Sequence, residues 1–450
     1  MIKLPEKFIN RMKNLLGDDY ALYENALSQE PVKAFRVNTD KISLKDFNEI
    51  DNISSGNIPY CQNGFYLKVD KIGNHPFHHA GMIYVQEPGA MAASECIDIN
   101  PDWRILDMCA APGGKSTQLK NKLGEKGVLV SNEIILSRCK ILTGNIERLG
   151  LKNTFVTCLD TSRLATFFPK TFDLIMVDAP CSGEGMFRKD DNAILEWSEE
   201  NVRKCAVRQE EILENAVKML KDGGYIIYAT CTFSLEENEM IIDSFLKKHS
   251  DFEIVKVKDE VIASTCDGIK FDGCLCENIN FSRRFYPHKA KGEGQFMALL
   301  HHKGELNANN QISIKNKKVN TLVIDFLDDV LTEYDKSHVT EYNGNPVYIT
   351  PDFNVEKGVA FAFGVKIGEI KKNYIQPHHQ FFMSLGKNFK RKIELSADSE
   401  LLSKYLHGEE IEVCCENGWA VVMVNGCAVG GVKVVNGIAK NHYPKGLRIR

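Results

Sequence analysis

The sequence lacks several features that mark special classes of protein. Its 450 residues contain no apolar run of about 18 residues, so no membrane span is expected. The segment Met1–Tyr20 is charged and amphipathic, without the apolar core of a signal peptide. The net charge of -4 shows no general excess of basic residues, so any attraction to nucleic acid must be local. We expect a cytoplasmic globular protein of about two to four domains.

The 14 cysteines are not arranged as the ligands of a zinc site. One residue separates Cys274 from Cys276, and Cys414 is next to Cys415, whereas a zinc ribbon needs a wider spacing. The HxxHH group at residues 75–79 has no further ligand at a suitable spacing, so packing or polar contacts are expected there and no metal. Most of the cysteines fit the role of small buried apolar side chains in a reducing compartment.

Between residues 100 and 240 an apolar strand, a turn and an amphipathic helix follow one another repeatedly. This alternation predicts a parallel sheet with helices on both faces, and therefore an α/β fold. One helix is predicted at Cys205–Leu220, with its apolar residues on one face. The predicted strands are Arg104–Met108, Val128–Ser131, Thr154–Cys158, Leu174–Val177 and Tyr225–Ala229.

Changes in composition divide the chain further. Residues 1–75 are predicted to form a small mixed α/β accessory segment and residues 76–303 the central domain. The polar, asparagine-rich stretch 304–320 indicates a linker, and residues 321–385 a middle accessory domain. Residues 386–450 contain short strands separated by glycine turns, which favours a small β-barrel.

The segment from Ile105 to Thr117 leaves a predicted strand and enters a helix. A phosphate loop would need glycine where Cys109 stands, and the dinucleotide pattern GxGxxG is absent. Small residues and a helix N-terminus still allow close approach by a ligand, so we expect adenosine with an amino-acid tail. The expected binding residues are Cys109, Ala110, Ala111, Pro112, Gly113, Gly114 and Lys115.

Two acids follow the next strands along the chain. Glu133 comes after the second strand, where a carboxylate can accept both ribose hydroxyls. Asp160 comes after the third strand, where it could contact the adenine end. Acids at such positions also cap helices, and for Asp160 this second interpretation stays open.

Two cysteines lie just past the fourth and fifth strands. Cys181 belongs to the sequence Asp178-Ala179-Pro180-Cys181-Ser182-Gly183, and Cys231 follows Thr230. A thiolate that adds to C6 of cytosine makes C5 nucleophilic enough to attack a sulfonium methyl group. Asp178 could hydrogen-bond the ring N3 and assist this addition. The residues alone leave open which cysteine attacks.

These motifs resemble the Nol1/Nop2/Sun family of RNA cytosine-5 methyltransferases. The resemblance rests on Asp107–Lys115, on the motif from Asp178 to Gly183, on Thr230-Cys231 and on Tyr84–Pro88. It implies a Rossmann-like class I methyltransferase fold that uses S-adenosyl-L-methionine (SAM). It also implies that Cys231 attacks the base, that Cys181 assists release of the product, and that Lys115 and Asp178 line the site. The implied SAM contacts are Cys109–Lys115, Glu133, Asp160 and Asp178.

The overall layout resembles the bacterial subgroup that modifies 16S ribosomal RNA, with a PUA-like module ending in Asn441–Arg448. This resemblance implies 16S RNA or the 30S subunit as partner, and we expect a monomer. Candidate RNA contacts are Arg36, Arg283-Arg284, the lid candidate Phe187-Arg188-Lys189, and the basic clusters Lys387–Lys392 and Lys440–Arg450.

Three alternatives remain open at this stage. The first is a transfer RNA substrate for the same chemistry. The second is a different SAM enzyme on the same fold, although methylation of an amine or amide needs no thiol pair. The third is a non-catalytic protein of ribosome assembly, which would be expected to lose a cysteine or the cofactor loop.

Overall fold

Strands and helices alternate through the middle of the chain, in the order that the apolar pattern predicts. The predicted strand at 174–177 is longer at both ends, and the one at 225–229 begins earlier, at Leu220. Strands and helices are numbered from the N-terminus. The elements α1 to α5 and β1 to β4 come first, and the central part of the chain contains β5 to β13 and α6 to α12. The early elements are α1 (Glu6–Leu16), α2 (Tyr20–Leu27), β1 (Ala34–Val37), α3 (Leu44–Ile50), β2 (Ser54–Ile58), β3 (Cys61–Leu67), α4 (Pro76–His79), β4 (Ile83–Val85) and α5 (Pro88–Ala93). The central elements are β5 (Arg104–Asp107), α6 (Gly114–Lys120), β6 (Val128–Asn132), α7 (Leu136–Leu149), β7 (Thr154–Thr157), α8 (Thr161–Phe167), β8 (Phe172–Asp178), α9 (Asp191–Glu196), α10 (Glu199–Met219), β9 (Leu220–Thr230), α11 (Glu239–Lys248), β10 (Phe252–Val255), α12 (Asp259–Ile262), β11 (Cys266–Asp267), β12 (Arg283–Phe285) and β13 (Gln295–His302).

The computed structural model describes residues 4–306, 319–350, 353, 356 and 358–449. Most of the predicted linker 304–320 therefore lies outside the described residues. In these ranges the chain continues with α13 (Thr321–Val330), β14 (Val339–Tyr342), β15 (Asn345–Tyr348), β16 (Ala360–Phe363), β17 (Val365–Lys366), β18 (Gly368–Ile370), β19 (Ile375–Pro377), α14 (His379–Leu385), β20 (Lys392–Glu394), α15 (Glu400–His407), β21 (Ile411–Glu412), β22 (Gly418–Val424), β23 (Cys427–Val435) and β24 (Ile438–Asn441). No helix in the described part of the chain is long and apolar enough to cross a bilayer.

The central sheet has a parallel middle, in the order β7-β6-β5-β8-β9. β13 continues the sheet antiparallel to β9, followed by β12 and β11. At the other edge β16 pairs antiparallel with β7, although it belongs to the C-terminal half of the chain. The parallel strands are apolar and buried on both faces, against one apolar core on each side of the sheet. The predicted Rossmann-like α/β fold is confirmed.

The N-terminal strands form an antiparallel sheet of their own, in the order β2-β3-β1-β4. Its last strand, β4, lies beyond the predicted boundary at residue 75, and the division into domains stays a prediction. The N-terminal sheet shares an apolar core with the C-terminal module, in which Phe35 and Phe47 pack in the same cluster as Tyr405 and Val422. The two ends of the chain therefore support each other.

The C-terminal module is rich in strands, as predicted, but the expected barrel is wrong. Its five strands form an open sheet in the order β20-β22-β23-β24-β21, and the two outer strands do not pair with each other. These outer strands are short, with three and two residues, and no strand pairing joins them. The helix α15 covers this sheet instead, through Leu402 and Tyr405.

Candidate active site

The predicted cofactor loop connects β5 to α6 at the carboxyl edge of the sheet. The backbone N–H groups of Met108 and Ala110 donate to carbonyls of β8 and β6, which fixes the loop between its neighbouring strands. Gly113 has a φ of 112°, a conformation that favours glycine, and α6 begins at the next residue. The loop therefore presents small residues and the free N–H groups of a helix start at the edge where open α/β sheets bind ligands.

Asp107, the last residue of β5, is fully buried beside this loop. Its Oδ2 accepts a hydrogen bond of 2.6 Å from the Ser116 hydroxyl, whereas Oδ1 has no hydrogen-bond partner among the described residues. Burial raises the pKa of Asp107 to about 7, and the Ser116 hydrogen bond offsets only part of this effect. An unpaired buried carboxyl oxygen is a natural acceptor for an ammonium group, such as the one at the amino-acid end of SAM.

Glu133 lies directly after β6 and is only 3 % exposed. Its Oε1 accepts from the backbone N–H of Ile135, and Arg138 approaches Oε2 at 3.2 Å while it also donates to the carbonyl of Ala111. A carboxylate has further acceptor positions, which leaves room for ribose hydroxyls. The neighbouring Ile134 and Ile135 expose apolar surface that an adenine ring could cover.

Asp160 follows β7 on the same edge of the sheet, where it is exposed. Its Oδ1 accepts from the backbone N–H of Arg163 and from the Ser162 hydroxyl, so it caps α8. The capping role exists in the structure, and a role toward the adenine stays a prediction. Taken together, the loop, the unpaired Asp107 oxygen and the buried Glu133 form a site whose chemistry fits SAM.

The two predicted cysteines lie side by side. Cys181 follows β8 and Cys231 follows β9, and these strands are parallel neighbours in which Asp178 is paired with Ala229. The two sulfur atoms are 3.4 Å apart, and both residues are partly buried. The hydrogen bond with Cys231, together with burial, raises the pKa of Cys181 well above that of an ordinary thiol. Cys181 therefore keeps its proton while Cys231 is free of a substrate.

An ion pair joins the cofactor loop to the cysteine motif. The Lys115 ammonium lies 2.8 Å from Oδ2 of Asp178; the lysine side chain is 8 % exposed and the aspartate 33 %. Burial lowers the pKa of Lys115, but the negative charges of Asp178 and Cys231 outweigh it, so that the pKa is raised. The ion pair therefore holds a charged lysine at the edge of the sheet where the two cysteines lie.

Two buried glutamates, neither of them predicted from the sequence, support the cysteine loops. Glu237 accepts hydrogen bonds from the backbone N–H and the hydroxyl of Ser182, at 2.8 and 2.5 Å, and burial raises its pKa to about 7. Glu184 accepts from the hydroxyl and the backbone next to Cys231, through Thr232 and Phe233, both at 2.9 Å. The only signal in the sequence was an acid a few residues after each cysteine motif.

Several predicted RNA contacts are wrong, because the side chains are buried in other interactions. Arg36 is 1 % exposed and donates to Gln86, Thr117 and the carbonyl of Gly114, behind the cofactor loop. It is thus part of the support of that loop rather than of the RNA surface.

Arg283 and Arg284 are likewise buried. Arg284 forms a buried ion pair with Glu239, and Arg283 pairs with Asp267. In the lid candidate 187–189, Phe187 is buried in an apolar cluster and Arg188 pairs with Glu293 at 2.8 Å, so only Lys189 is exposed. Apart from Lys189, these residues hold the protein together and are not available to RNA in this structure.

The HxxHH group at residues 75–79 takes part in packing. His79 is buried, and its Nδ1 lies 2.8 Å from the hydroxyl of Tyr443 in the C-terminal module. Burial lowers the pKa of His78 to about 3 and that of His79 to about 4, so both rings are neutral near pH 7. The polar contact that the sequence predicted for this group is therefore present.

A Rossmann-like sheet with a SAM-type loop and paired thiols at its carboxyl edge defines the class of SAM-dependent methyltransferases. Comparison with known proteins makes this assignment more specific. The model described as 16S rRNA methyltransferase RsmB/F matches residues 95–301. The model of the N-terminal domain of 16S rRNA methyltransferase RsmF matches residues 4–88, and that of the methyltransferase RsmF PUA domain matches residues 391–449.

Curated relatives cover the whole chain. Ribosomal RNA small subunit methyltransferase F of Vibrio vulnificus (strain YJ016) is 30% identical over 480 residues, which cover 99% of this chain and 98% of the relative. The protein of the same name from Vibrio cholerae serotype O1 (strain M66-2) is 40% identical over 251 residues, covering 53% of each chain. A crystal structure of a methyltransferase homologue from Pyrococcus horikoshii is 27% identical with a TM-score of 0.58, covering 67% of this chain and 96% of that one.

The chain belongs to the 16S rRNA methyltransferase RsmB/F family. This finding confirms the resemblance to the Nol1/Nop2/Sun family and the expected PUA-like module at the C-terminus. It also confirms that the protein is a SAM-dependent RNA methyltransferase. The roles of the individual site residues stay predictions.

Proposed function

We propose that this protein methylates C5 of a cytosine in 16S ribosomal RNA, with Cys231 as the nucleophile. The observation that carries the proposal is the arrangement of the two cysteines. Their sulfur atoms are 3.4 Å apart at the carboxyl edge of the sheet, next to the ion pair between Lys115 and Asp178. Methylation of an amine needs no thiol, whereas methylation of C5 needs a nucleophile that adds to C6 and then a base that removes the C5 proton, and two neighbouring cysteines could supply both.

In the proposed first step, the Cys231 sulfur forms a bond with C6 of the flipped-out cytosine. In the proposal Asp178, which is ionised in its ion pair with Lys115, takes the proton that the Cys231 thiol loses and passes it to N3, so that the ring accepts the electron pair. SAM supplies an electrophilic methyl group when it is bound. The ring C5 becomes nucleophilic through the bond that Cys231 has formed, and takes up this methyl group.

In the proposed second step, Cys181 releases the product. The hydrogen atom on C5 must leave as a proton, and its bonding electrons then expel the Cys231 sulfur from C6. The hydrogen bond with Cys231 is the largest cause of the raised pKa of Cys181. This cause disappears once the Cys231 sulfur is bonded to carbon, which lowers the pKa of Cys181, although burial still raises it. In the proposal Cys181 then loses its own proton to solvent and takes up the C5 proton as a thiolate.

The substrate assignment is supported by the family and by the named relatives, which are ribosomal RNA small subunit methyltransferases. The PUA domain match at residues 391–449 supplies a module that suits RNA binding. We include in the proposal that the protein acts as a monomer in the cytoplasm, where ribosomal subunits are assembled. Labelled SAM offered to naked 16S RNA, to 30S subunits and to transfer RNA tests the substrate. Transfer to transfer RNA alone would overturn the proposed substrate.

The nucleophile can be tested with RNA that contains 5-fluorocytosine. Fluorine at C5 cannot leave as a proton, so the adduct with Cys231 should persist as a covalent complex in the presence of SAM. The complex should be absent in Cys231→Ala and present in Cys414→Ala, a control at an exposed cysteine. A complex that forms equally well in Cys231→Ala would reject this residue as the nucleophile.

The release step can be tested with ordinary RNA. Cys181→Ala should accumulate a covalent complex between enzyme and methylated RNA, because the adduct forms but the C5 proton is not removed. Gel analysis under denaturing conditions would detect the complex. Free turnover in Cys181→Ala would remove this residue from the release step.

A further inference from the structure

A cavity of about 420 Å³ lies where the N-terminal segment, the central sheet and the C-terminal half meet. Its walls include Lys41, the turn at 123–125 before β6, the turn at 150–153 before β7, and residues 383–388 at the end of α14. These turns lead into the amino ends of β6 and β7. The cavity is therefore at the opposite edge of the sheet from the cysteines and has no part in the proposed methyl transfer.

Four lysines line this cavity: Lys41, Lys120, Lys152 and Lys387. Lys41 and Lys120 are buried, with 6% and 4% of their surface exposed, whereas Lys152 and Lys387 reach in from the exposed rim. Lys41 donates one hydrogen bond, to the carbonyl of Met383. Burial, and then the positive charges of Lys387 and Lys152, lower the pKa of Lys41 to about 8. The four ammonium groups are close enough to repel one another.

The carboxylates of the cavity offset these charges only in part. Asp40, Glu125 and Asp335 contribute to the wall, and all three are exposed. Among the described residues, the only carboxylate within 4 Å of any of the four ammonium groups is that of Asp40, at 3.9 Å from Lys120. This distance is too long for a hydrogen bond. Buried ammonium groups without a close anion are costly, so the cavity favours an anionic ligand.

A further donor points to the same conclusion. Ser384 lines the cavity, and its hydroxyl oxygen is buried without a hydrogen-bond partner in the described ranges. A tetrahedral anion can accept from several ammonium groups and a hydroxyl at once. We propose that this lysine cavity binds a phosphate group, either as free phosphate or as a phosphate of a polynucleotide backbone. A bound phosphate would connect the N-terminal segment, the central sheet and the C-terminal half through one anion.

Thermal unfolding of the full chain, without SAM or RNA, tests the proposal. Inorganic phosphate and pyrophosphate are compared with sodium chloride at the same ionic strength. The double variant Lys152→Ser/Lys387→Ser removes two exposed rim lysines, so that folding is preserved. The control Lys45→Ser/Lys247→Ser removes two exposed lysines that do not line the cavity.

Phosphate should raise the Tm of the wild type and of the control, and the rim variant should need at least tenfold more phosphate for the same shift. No shift in the wild type, or equal shifts in the rim variant and the control, would overturn the proposal.

Binding of 16S RNA over a range of salt concentrations then distinguishes the two sources of the phosphate group. If the ligand is a backbone phosphate, the rim variant should lower the salt slope by about one, relative to the control. If the ligand is free phosphate, the rim variant and the control should bind RNA equally well. The rim variant should still need more phosphate than the control for the same increase in Tm.

Discussion

Replacing Asp107 by asparagine should make the stability of the protein less sensitive to pH. The carboxyl is fully buried between β5 and α6, and burial raises its pKa to about 7. In the unfolded chain the pKa of an aspartate is about 3.9. Between about pH 4 and pH 7 the folded protein therefore holds a proton that the unfolded chain has lost. The free energy of unfolding falls as the pH rises through this window. Above about pH 7 the carboxyl is ionised in both states, and it no longer makes the free energy of unfolding depend on pH.

The size of the effect follows from the width of the window. One bound proton changes the free energy of unfolding by about 1.4 kcal/mol per pH unit, so the full window of about three units amounts to about 4 kcal/mol. Between pH 5 and pH 8 about two units are crossed, which gives about 3 kcal/mol. An unfolding entropy of about 2.1 cal/mol/K per residue converts this to a Tm change of about 3 °C for a chain of 450 residues. Asparagine has nearly the same shape and no charge, and its oxygen can still accept from Ser116.

Thermal unfolding of the wild type and Asp107→Asn, measured without SAM in matched buffers at pH 5 and pH 8, provides the assay. The Tm of the variant minus that of the wild type should increase by about 3 °C between the two pH values. Asp272→Asn, at an exposed aspartate, is the control and should show no such change. A difference for Asp107→Asn that is the same at both pH values would refute the protonation of this buried carboxyl at neutral pH.

Three other substitutions test the support of the site. Lys115→Met removes the cation beside Asp178 and should lower single-turnover methyl transfer by about a hundredfold or more, and an unchanged rate would exclude the ion pair from catalysis. Glu237→Ala leaves two donors of Ser182 unpaired and should lower the free energy of unfolding by about 3 kcal/mol in chemical denaturation. Gly81→Ala should destabilise the fold by more than about 1 kcal/mol, because its φ is 65° and the added Cβ would lie 2.2 Å from a carbonyl oxygen of α7. Unchanged stability in either of the last two variants would contradict the packing described here.

The sequence predicts the parts of the site that depend on local pattern and on sheet order. Strands with continuous apolar residues must be buried on both faces, so their carboxyl ends meet at one edge. This reasoning places the loop after Asp107, the acid Glu133 and the two cysteines on that edge. It does not give the separation of Cys181 and Cys231, which follows from the neighbouring positions of β8 and β9 in the sheet.

Other features depend on partners that are distant in the chain, and pattern alone cannot find them. Arg36 and Arg284 resemble surface residues in the sequence, but Arg36 supports the cofactor loop and Arg284 pairs with a buried glutamate. A basic residue is predicted to be exposed unless its partner is known, and these partners are 45 or more residues away. The supporting role of Glu184 was hidden for a similar reason, because its strongest contacts are with the loop after β9.

The strand β16 determines whether the catalytic region can be produced as a separate fragment. Without it, β7 would end the sheet with a row of unpaired N–H and C=O groups. A fragment cut at residue 303 would keep every motif of the reaction and yet expose this edge to strands of other copies, a recognised route to aggregation. The C-terminal half therefore covers the β7 edge of the central sheet. Fragments that omit it should precipitate rather than simply bind RNA less well.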